Sequence, residues 1–328
     1  IINIVKVRDI LVKLLDCCWR EPAMKFKTCG TPTNCKGGSQ GKYIFMVDGR
    51  RPHGGMFDRL KGAITIYAIA KAQHKDFRID WKYPFDLRKY LEPNKYDWRI
   101  DEKDMNWGLF NHNAVIAYGE INNPSRLWKD RKKESHFYYG YNSLDKVNAY
   151  FNTNYEWGNL YRELYRPTSY LQKHLDYYQK EIGSNYIAIH TRFLNLLGDK
   201  NETDVNPTLP LKEQKVLMWN ASQEIKEIYE SAKVQDPNIR IMIASDSMTF
   251  IKYIKSQIPS VYVIPGKVKH IDTAGETEDS ENIKMFTDYY LLSNARHIYS
   301  LWHEGMWRSA FPEYAAIIGG KPFTRVEF

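Results

Sequence analysis

Cysteine is scarce in this chain, and long hydrophobic runs are absent from it. The 328 residues include four cysteines, namely Cys17, Cys18, Cys29 and Cys35. They lack the paired C-x-x-C spacing that is typical of structural zinc sites, so we do not expect a zinc site. They would pair as disulfides in a secreted or lumenal protein and otherwise remain reduced thiols. No run of about 18 apolar residues occurs, so the sequence predicts no membrane-spanning helix.

Several motifs that define other enzyme classes are also missing. G-x-G-x-x-G and the Walker loop with its G-K-[ST] are absent, which argues against a standard dinucleotide or triphosphate site. No cysteine stands in the context of a catalytic nucleophile. No Asp is followed two positions later by another Asp, so the D-x-D motif of many metal-dependent glycosyltransferases is missing. We therefore predict no metal site.

Positive charge is in moderate excess and is spread along the chain. The net charge is +8, from 47 Lys and Arg against 39 Asp and Glu. The densest basic stretch, DRKKES at 130–135, contains acidic residues, which favours a solvated surface and argues against a nucleic-acid-binding stripe. A modest positive field suits anionic small molecules or an anionic membrane surface. We expect no nucleic-acid partner, and peripheral membrane association is compatible with the charge.

The first half of the chain predicts the beginning of an α/β layer. Residues 42–50 are typical of a buried strand, 56–74 of a helix with a core-facing stripe, and 76–81 and 114–121 of further strands. From 135 to 180 the chain is rich in aromatic residues. We interpret these as core and interdomain packing; a surface that stacks against acceptor sugars is the alternative.

From residue 186 onward, strands and helices alternate in a βαβαβα order. Parallel strands joined by right-handed crossovers form a doubly wound sheet, so this order predicts one. The predicted fold is therefore of the α/β class, with two Rossmann-like domains that face a cleft. The predicted parts are a cysteine-containing segment at residues 1–40, a first domain at 41–180 and a second domain at 181–328.

Three strands of the second half end in polar residues. These are His190 and Arg192 after the first strand, Ser245, Asp246 and Ser247 after the second, and Ser300 after the third. Ligands of open α/β sheets lie beyond the carboxyl ends of the strands. The rigid fork of donors on Arg192 suits a phosphate. In the alternative interpretation, Arg192 pairs with Asp199 or Asp246 and only stabilises the loop.

The first half has a glycine-rich turn, HGGMFDRLKG, between a strand and a helix. Gly54 and Gly55 would let the backbone approach a ligand closely, and the amino terminus of the following helix favours an anion. A plain tight turn explains the same residues equally well.

Five segments in this order resemble one enzyme family. They are GGMFDRLKGAITIYAIAKAQ, DFRIDWKYPFDLRKYL, IHTRFLNLLGD, IASDS and DYYLLSNARHIYSLWHEGMWRSAF. Together they resemble the fucosyltransferase superfamily of α1,2-, α1,6- and protein O-fucosyltransferases, over roughly residues 42–326. The resemblance implies a GT-B fold, GDP-fucose as the donor substrate and no metal ion or other cofactor. It makes 41–180 the acceptor-side domain and 181–328 the donor-binding domain.

The resemblance also implies roles for the polar strand ends. Arg192 would bind the β-phosphate of GDP and stabilise the charge that develops as the glycosidic bond breaks, and His190 would support it. The other donor-binding positions would be Ser245 and Asp246 at the guanosine with Ser247 beside them, Ser300 at a phosphate oxygen, and Gly54 and Gly55 over the diphosphate or the fucose.

The acceptor hydroxyl of an inverting transfer needs a base. The candidates are Asp58, His53 and Glu304, and for each the alternative is a helix-capping or surface role. The sequence departs from the family in the loop from Arg192 to Gly198, which is longer than in H-x-R-x-G-D, and in the late turn YSLWHEG, where relatives have further serines.

The leading functional hypothesis is a metal-independent, inverting transfer of fucose from GDP-fucose to a glycan hydroxyl. The alternatives are a GT-B transferase that uses another GDP-sugar, mannose or heptose, and a catalytically silent carbohydrate-binding protein. A cytoplasmic location, with contact to the membrane surface, is expected in the absence of an anchor. A lumenal location in the Golgi or endoplasmic reticulum is the alternative, if an anchor precedes Ile1.

Overall fold

The computed structural model describes residues 11, 14–28, 41–51, 54–117, 125–199, 207–267 and 277–328. The chain divides into two compact units. The first unit consists of Ile1–Leu87 and Glu92–Arg166, and the second of Arg88–Leu91 and Pro167–Phe328. Among the residues described, no helix combines the length and the apolar character that a membrane crossing requires.

The first unit is built on a four-stranded parallel sheet. Its strands are β1 (Lys42–Val47), β2 (Asp76–Trp81), β4 (His112–Ile116) and β5 (Glu134–Tyr138), in the order β2-β1-β5-β4. Its helices are α1 (Glu21–Thr28), which continues from a π-helical turn at Asp16–Arg20, α2 (Met56–Ala72), α3 (Leu144–Phe151) and α4 (Trp157–Leu164). Two short strands, β3 (Leu91–Pro93) and β6 (Tyr165–Pro167), pair as a separate sheet.

Strand β1 and helix α2 form the centre of the first unit. Residues 43–47 of β1 have no exposed surface, as expected for an apolar strand that is covered on both faces of a parallel sheet. Helix α2 is buried along most of its length. At Gly62 it approaches the chain so closely that a Cβ atom would lie 2.1 Å from the carbonyl oxygen of Tyr139. A residue with a side chain at this position would force the helix away from its neighbour.

The second unit carries another four-stranded parallel sheet. Its strands are β7 (Tyr186–Thr191), β8 (Arg240–Ser245), β9 (Ile298–Trp302) and β10 (Phe323–Glu327), in the order β10-β9-β7-β8. Its helices are α5 (Ser169–Ile182), α6 (Leu211–Gln235), α7 (Met248–Gln257), α8 (Asp279–Asn294) and α9 (Phe311–Gly319).

Helices cover both faces of this second sheet. Ile187 and Ile189 of β7 belong to the hydrophobic core that includes apolar side chains of helices α6 and α7. On the opposite face, the Tyr186 hydroxyl donates to the carbonyl oxygen of Leu291 in helix α8 at 2.6 Å. The central strand is thus buried on both sides, which leaves its carboxyl end as the place where polar side chains emerge.

Two strands of the four-stranded sheets were not predicted, and a third has other bounds than expected. Strand β10 was not predicted, and neither was β5. The predicted strand at 114–121 begins two residues earlier, and β4 ends at Ile116. The units divide after Arg166, whereas the second domain was predicted to begin at residue 181. The reason is that helix α5 joins the second unit, where Asn294 of helix α8 donates to Gln179 at 2.9 Å.

Candidate functional site

The carboxyl ends of β7, β8 and β9 meet at one edge of the second sheet, as predicted. His190 of β7 lies beside Ala244 of β8 and Ser300 of β9 in the strand register. Thr191 lies beside Ser245. Because β7 is flanked by the other two strands, whatever follows it is surrounded by their carboxyl ends.

His190 is a buried, uncharged imidazole at this edge. Its side chain is stacked on Phe311 at a ring distance of 5.4 Å, and the residue is 8% exposed. Burial, together with the positive charge of Arg192, lowers the pKa of His190 to about 3. Its Nδ1 has no hydrogen-bond partner among the described residues. The ring is therefore neutral near pH 7 and has one buried nitrogen available for a hydrogen bond.

Arg192 follows β7 directly and is partly buried. Its guanidinium carbon lies 5.9 Å from the ring centre of Trp307. Its carbonyl oxygen accepts a hydrogen bond from the Trp307 backbone N–H at 3.2 Å. The turn after β9 is thus attached to the loop after β7. A guanidinium keeps its positive charge at any physiological pH, so Arg192 places a permanent cation at the sheet edge.

Asp246 stabilises the loop that begins at Arg192. Its two carboxylate oxygens accept the backbone N–H groups of Phe193 and Leu194, both at 2.8 Å. Leu194 has a φ of 56°, a left-handed conformation that is unfavourable for leucine. The two bonds from Asp246 hold the chain in this conformation. Asp246 therefore fixes the path of the loop immediately after Arg192.

Other polar residues at this edge form hydrogen bonds with residues of the protein itself. Asp199 accepts hydrogen bonds from Ser247 Oγ and from both the N–H and the hydroxyl of Thr249, the latter two at 3.1 and 3.0 Å. Ser247 is fully buried and caps helix α7 by accepting from the Phe250 N–H at 3.0 Å. Ser245 accepts from the Thr191 hydroxyl at 2.9 Å. These contacts give the three residues Ser245, Asp246 and Ser247 a scaffolding role, and the guanosine contact remains a prediction.

Ser300 and Glu304 lie on and after β9. Ser300 is 3% exposed and is inside the strand, because pairing with β10 extends β9 to Trp302. It therefore lies beside His190 and precedes the strand end. Glu304 is exposed, and its carboxylate makes no hydrogen bond or ion pair with any residue that the structure describes. The phosphate contact of Ser300 and the base role of Glu304 remain predictions.

The glycine-rich turn of the first unit is organised by a buried arginine. Arg59 is 1% exposed; its Nε donates to the Gly54 carbonyl at 2.9 Å and its Nη1 to the Tyr83 carbonyl at 2.7 Å. Gly55 is the N-cap residue of helix α2 and has no side chain with which to cap it. A Cβ at Gly54 would lie 2.3 Å from the carboxylate of Asp58. The turn thus requires glycine at 54, and the role of Arg59 was not predicted.

Asp58 lies in the first turn of helix α2. Its side chain is 40% exposed and pairs with Lys61 at 3.1 Å. The role of Asp58 as the base for an acceptor hydroxyl remains a prediction. His53, the other predicted base in this turn, lies outside the described residues.

Two further carboxylates of the first sheet were missed by the sequence analysis. Asp48 follows β1 and accepts from the Tyr138 hydroxyl at 3.1 Å. Asp80, near the end of β2, is 3% exposed and pairs with Lys82 at 3.2 Å. Burial raises the pKa of the Asp80 carboxyl group. Both lie at or near the carboxyl ends of strands. The search for polar residues at strand ends, which was applied to the second half of the chain, would have identified them.

No family model and no curated protein matches this sequence. Within the described residues, no group of three His, Cys, Asp or Glu side chains is arranged to hold a metal ion.

Several solved structures share the fold. The structure of a mutant of Arabidopsis thaliana FUT1 in complex with GDP matches with a TM-score of 0.56 and 12% identity, over 98% of this chain and 78% of that one. NodZ α-1,6-fucosyltransferase soaked with GDP-fucose matches with a TM-score of 0.52 and 14% identity, over 85% and 93%. Fucosyltransferase NodZ from Bradyrhizobium matches with a TM-score of 0.51 and 13% identity, over 84% of this chain and 92% of that one.

These matches are similarities of fold, because the sequence identities are low. They confirm the predicted α/β class and the GT-B architecture. The likeness to fucosyltransferases that the motifs indicated is thereby confirmed at the level of the fold. Activity is a separate question, since one fold supports many chemistries.

Proposed function

We propose that this protein is a glycosyltransferase that transfers fucose from GDP-fucose to a glycan hydroxyl, with inversion and without a metal ion. The observation that carries the proposal is the position of Arg192. It follows the central strand of a parallel sheet, at the edge where such folds bind nucleotides, in a loop fixed by two bonds to Asp246. The structures with a similar fold include complexes of other proteins with GDP and GDP-fucose.

The charge at this edge suits departure of GDP. When the bond between fucose and the diphosphate breaks, negative charge grows on the β-phosphate. A guanidinium fixed in advance stabilises this charge without having to reorganise, which is the largest contribution in many enzymes. His190 is neutral, so its buried nitrogen contributes a hydrogen bond rather than charge. The absence of a D-x-D motif from the sequence fits this use of Arg192 in place of a divalent cation.

Asp58 is the base that we assign to the acceptor hydroxyl. An attacking hydroxyl must lose its proton as it bonds to the anomeric carbon, and a carboxylate within hydrogen-bond reach accepts that proton. Asp58 is exposed at the glycine-rich turn, whereas Asp80 is almost fully buried against Lys82. Glu304 is the competing assignment, because it is also exposed.

The proposal is tested by release of GDP from GDP-fucose in the presence of EDTA, with a panel of glycan acceptors. Acceptor-dependent release, with GDP-mannose inactive, would support the fucosyltransferase assignment. Release of GDP from GDP-mannose alone would indicate that the donor substrate is a GDP-sugar other than GDP-fucose. Binding of glycans without release from any donor would replace it with a carbohydrate-binding function. Loss of activity in EDTA, restored by Mg²⁺ or Mn²⁺, would contradict metal independence.

A further inference from the structure

Five large apolar side chains of the amino-terminal helical segment face solvent. This segment comprises Leu11 and residues 14–28. Their exposed fractions are 55% for Leu11, 54% for Leu14, 49% for Leu15, 73% for Trp19 and 67% for Phe26. Spacings of three, four and seven residues bring such positions to one side of a helix. We call this set of five residues the apolar stripe.

The opposite side of the same segment is attached to the first unit. Met24 is 2% exposed and belongs to a core cluster with residues of β1, β4 and β5. Glu21 accepts the backbone N–H of Ile116 at 2.9 Å and pairs with Arg126. The segment is therefore packed on one side, and the apolar stripe is the side that the first unit leaves uncovered.

A pocket of about 570 Å³ lies beside this segment at β4, the edge strand of the first sheet. Its lining contains six basic and two acidic side chains, namely Lys25, Arg126, Lys129, Arg131, Lys132 and Lys133 with Glu21 and Asp130. We call it the basic pocket. Because Lys25, Glu21 and Cys17 come from the helical segment, the pocket directly borders the segment that carries the apolar stripe.

The acidic side chains leave part of this positive charge uncompensated. Glu21 pairs with Arg126, and Asp130 pairs with Lys75 at 2.9 Å and Lys132 at 3.4 Å. Within the described residues, Lys25, Lys129 and Lys133 have no carboxylate within ion-pair distance. Burial and the charge of Lys133 lower the pKa of Lys25, and the nearby Glu21 carboxylate opposes this shift.

We propose that the apolar stripe and the basic pocket together dock the first unit on an anionic lipid surface. Helices that lie in a membrane interface combine exposed Leu, Trp and Phe on one face with Lys and Arg beside it. A cluster of cations next to such a helix attracts the phosphate groups of anionic lipids. An apolar face alone would equally suit a protein partner. The neighbouring positive pocket favours anionic lipid, because its charge complements phosphate headgroups.

Vesicle flotation of the whole protein tests this docking. The vesicles contain phosphatidylcholine alone, or phosphatidylcholine with phosphatidylglycerol. We expect binding to the anionic vesicles only, with a decrease as salt is raised. The Trp19→Ser/Phe26→Ser variant, which loses apolar surface, and the Lys25→Glu/Lys129→Glu variant, which loses positive charge, should each bind at least about tenfold more weakly.

The matched control is a Trp219→Ser/Lys215→Glu variant on helix α6, where Trp219 is 55% exposed. It should bind the anionic vesicles like the original protein. Equal binding to neutral and anionic vesicles, or unchanged binding of both test variants, would overturn the proposal. The absence of vesicle binding would also overturn it. If light scattering then detected a dimer that the Trp19→Ser/Phe26→Ser variant abolishes, the apolar stripe would be an interface between two copies of this chain. Circular dichroism and thermal unfolding confirm that each variant is folded.

Discussion

The two sheets of this protein carry side chains of opposite charge at their carboxyl edges. At the edge of the second sheet, Arg192 is the cation, His190 is neutral, and the carboxylate of Asp246 is bonded to backbone N–H groups. At the edge of the first sheet, Asp48 and Asp80 are carboxylates whose partners are a tyrosine hydroxyl and basic side chains. The same strand-end position thus presents a cation in one unit and anions in the other.

Under the proposed function, this difference would correspond to a division of tasks between the units. An edge with a fixed cation, whose acidic groups are bonded within the protein, suits a negatively charged diphosphate. An edge with carboxylates, one of them in the nearby turn at Asp58, suits an uncharged sugar hydroxyl that must lose a proton. The predictions that follow either strengthen this division or contradict it, and they are arranged from the largest expected effect to the smallest.

Replacing Arg192 should have the largest effect on catalysis. Arg192→Ala is expected to reduce kcat at least about 100-fold, because it removes the fixed cation that stabilises the leaving diphosphate. Arg192→Lys should recover part of the loss, since it restores the charge without the planar fork. Arg296→Ala is the control; Arg296 pairs with Asp236 away from this edge, and its loss should leave kcat unchanged. Steady-state release of GDP measures all three.

Replacing Asp58 should reduce turnover and spare nucleotide binding. Asp58→Asn keeps the shape of the side chain and removes its basicity, so we expect about a 100-fold loss of kcat with an unchanged Kd for GDP. Glu304→Gln is the matched variant on the second unit, and we expect only a minor change. If Glu304→Gln caused the loss instead, both charge stabilisation and proton transfer would belong to the second unit, and the division of tasks would be wrong.

Replacing Asp246 tests the scaffold that positions Arg192. Asp246→Asn exchanges one of the two accepting oxygens for an N–H donor that faces a backbone N–H. We expect a loss of about 1 to 3 kcal/mol in the free energy of unfolding, measured with urea, together with weaker GDP binding. The control is Asp176→Asn on the exposed surface of helix α5, for which less than about 0.5 kcal/mol is expected. Equal stability of the two variants would show that the bonds to Asp246 do not stabilise the loop.

His190 should make a contribution to the pH dependence of stability. Its pKa is about 3 in the folded protein and near 6.5 when unfolded, so the unfolded state gains the proton first as the pH falls. The free energy of unfolding should therefore fall by about 2 kcal/mol between pH 6 and pH 4 because of this group alone. His190→Phe retains a ring against Phe311 and should remove that part of the slope.

The part of the site that could be predicted from the sequence is the part set by short-range pattern. A continuous apolar run at 186–189 predicts a central parallel strand, and the polar residues that follow it must emerge at the sheet edge. His190 and Arg192 were identified in this way, as was the α/β class. The same reasoning, applied to the first half, would have found Asp48 and Asp80.

The remaining features depend on contacts between distant residues, which a single sequence does not encode locally. The bonds from Asp246 to Phe193 and Leu194 span more than fifty positions of the chain. Strand β10 is short, half-exposed and charged, and it follows a proline, so its composition does not indicate a strand. Its pairing with β9 stabilises it, and that pairing also places Ser300 inside its strand.

The central claim is that the carboxyl edge of the second sheet binds a guanosine diphosphate through Arg192. Calorimetric titration with GDP and UDP in the presence of EDTA, on the original protein and on Arg192→Ala and Arg296→Ala, tests it most directly. We predict that GDP binds with micromolar strength while UDP does not, that Arg192→Ala weakens GDP binding more than about tenfold, and that Arg296→Ala binds normally. No GDP binding, or equal affinity of Arg192→Ala and the original protein, would contradict the account.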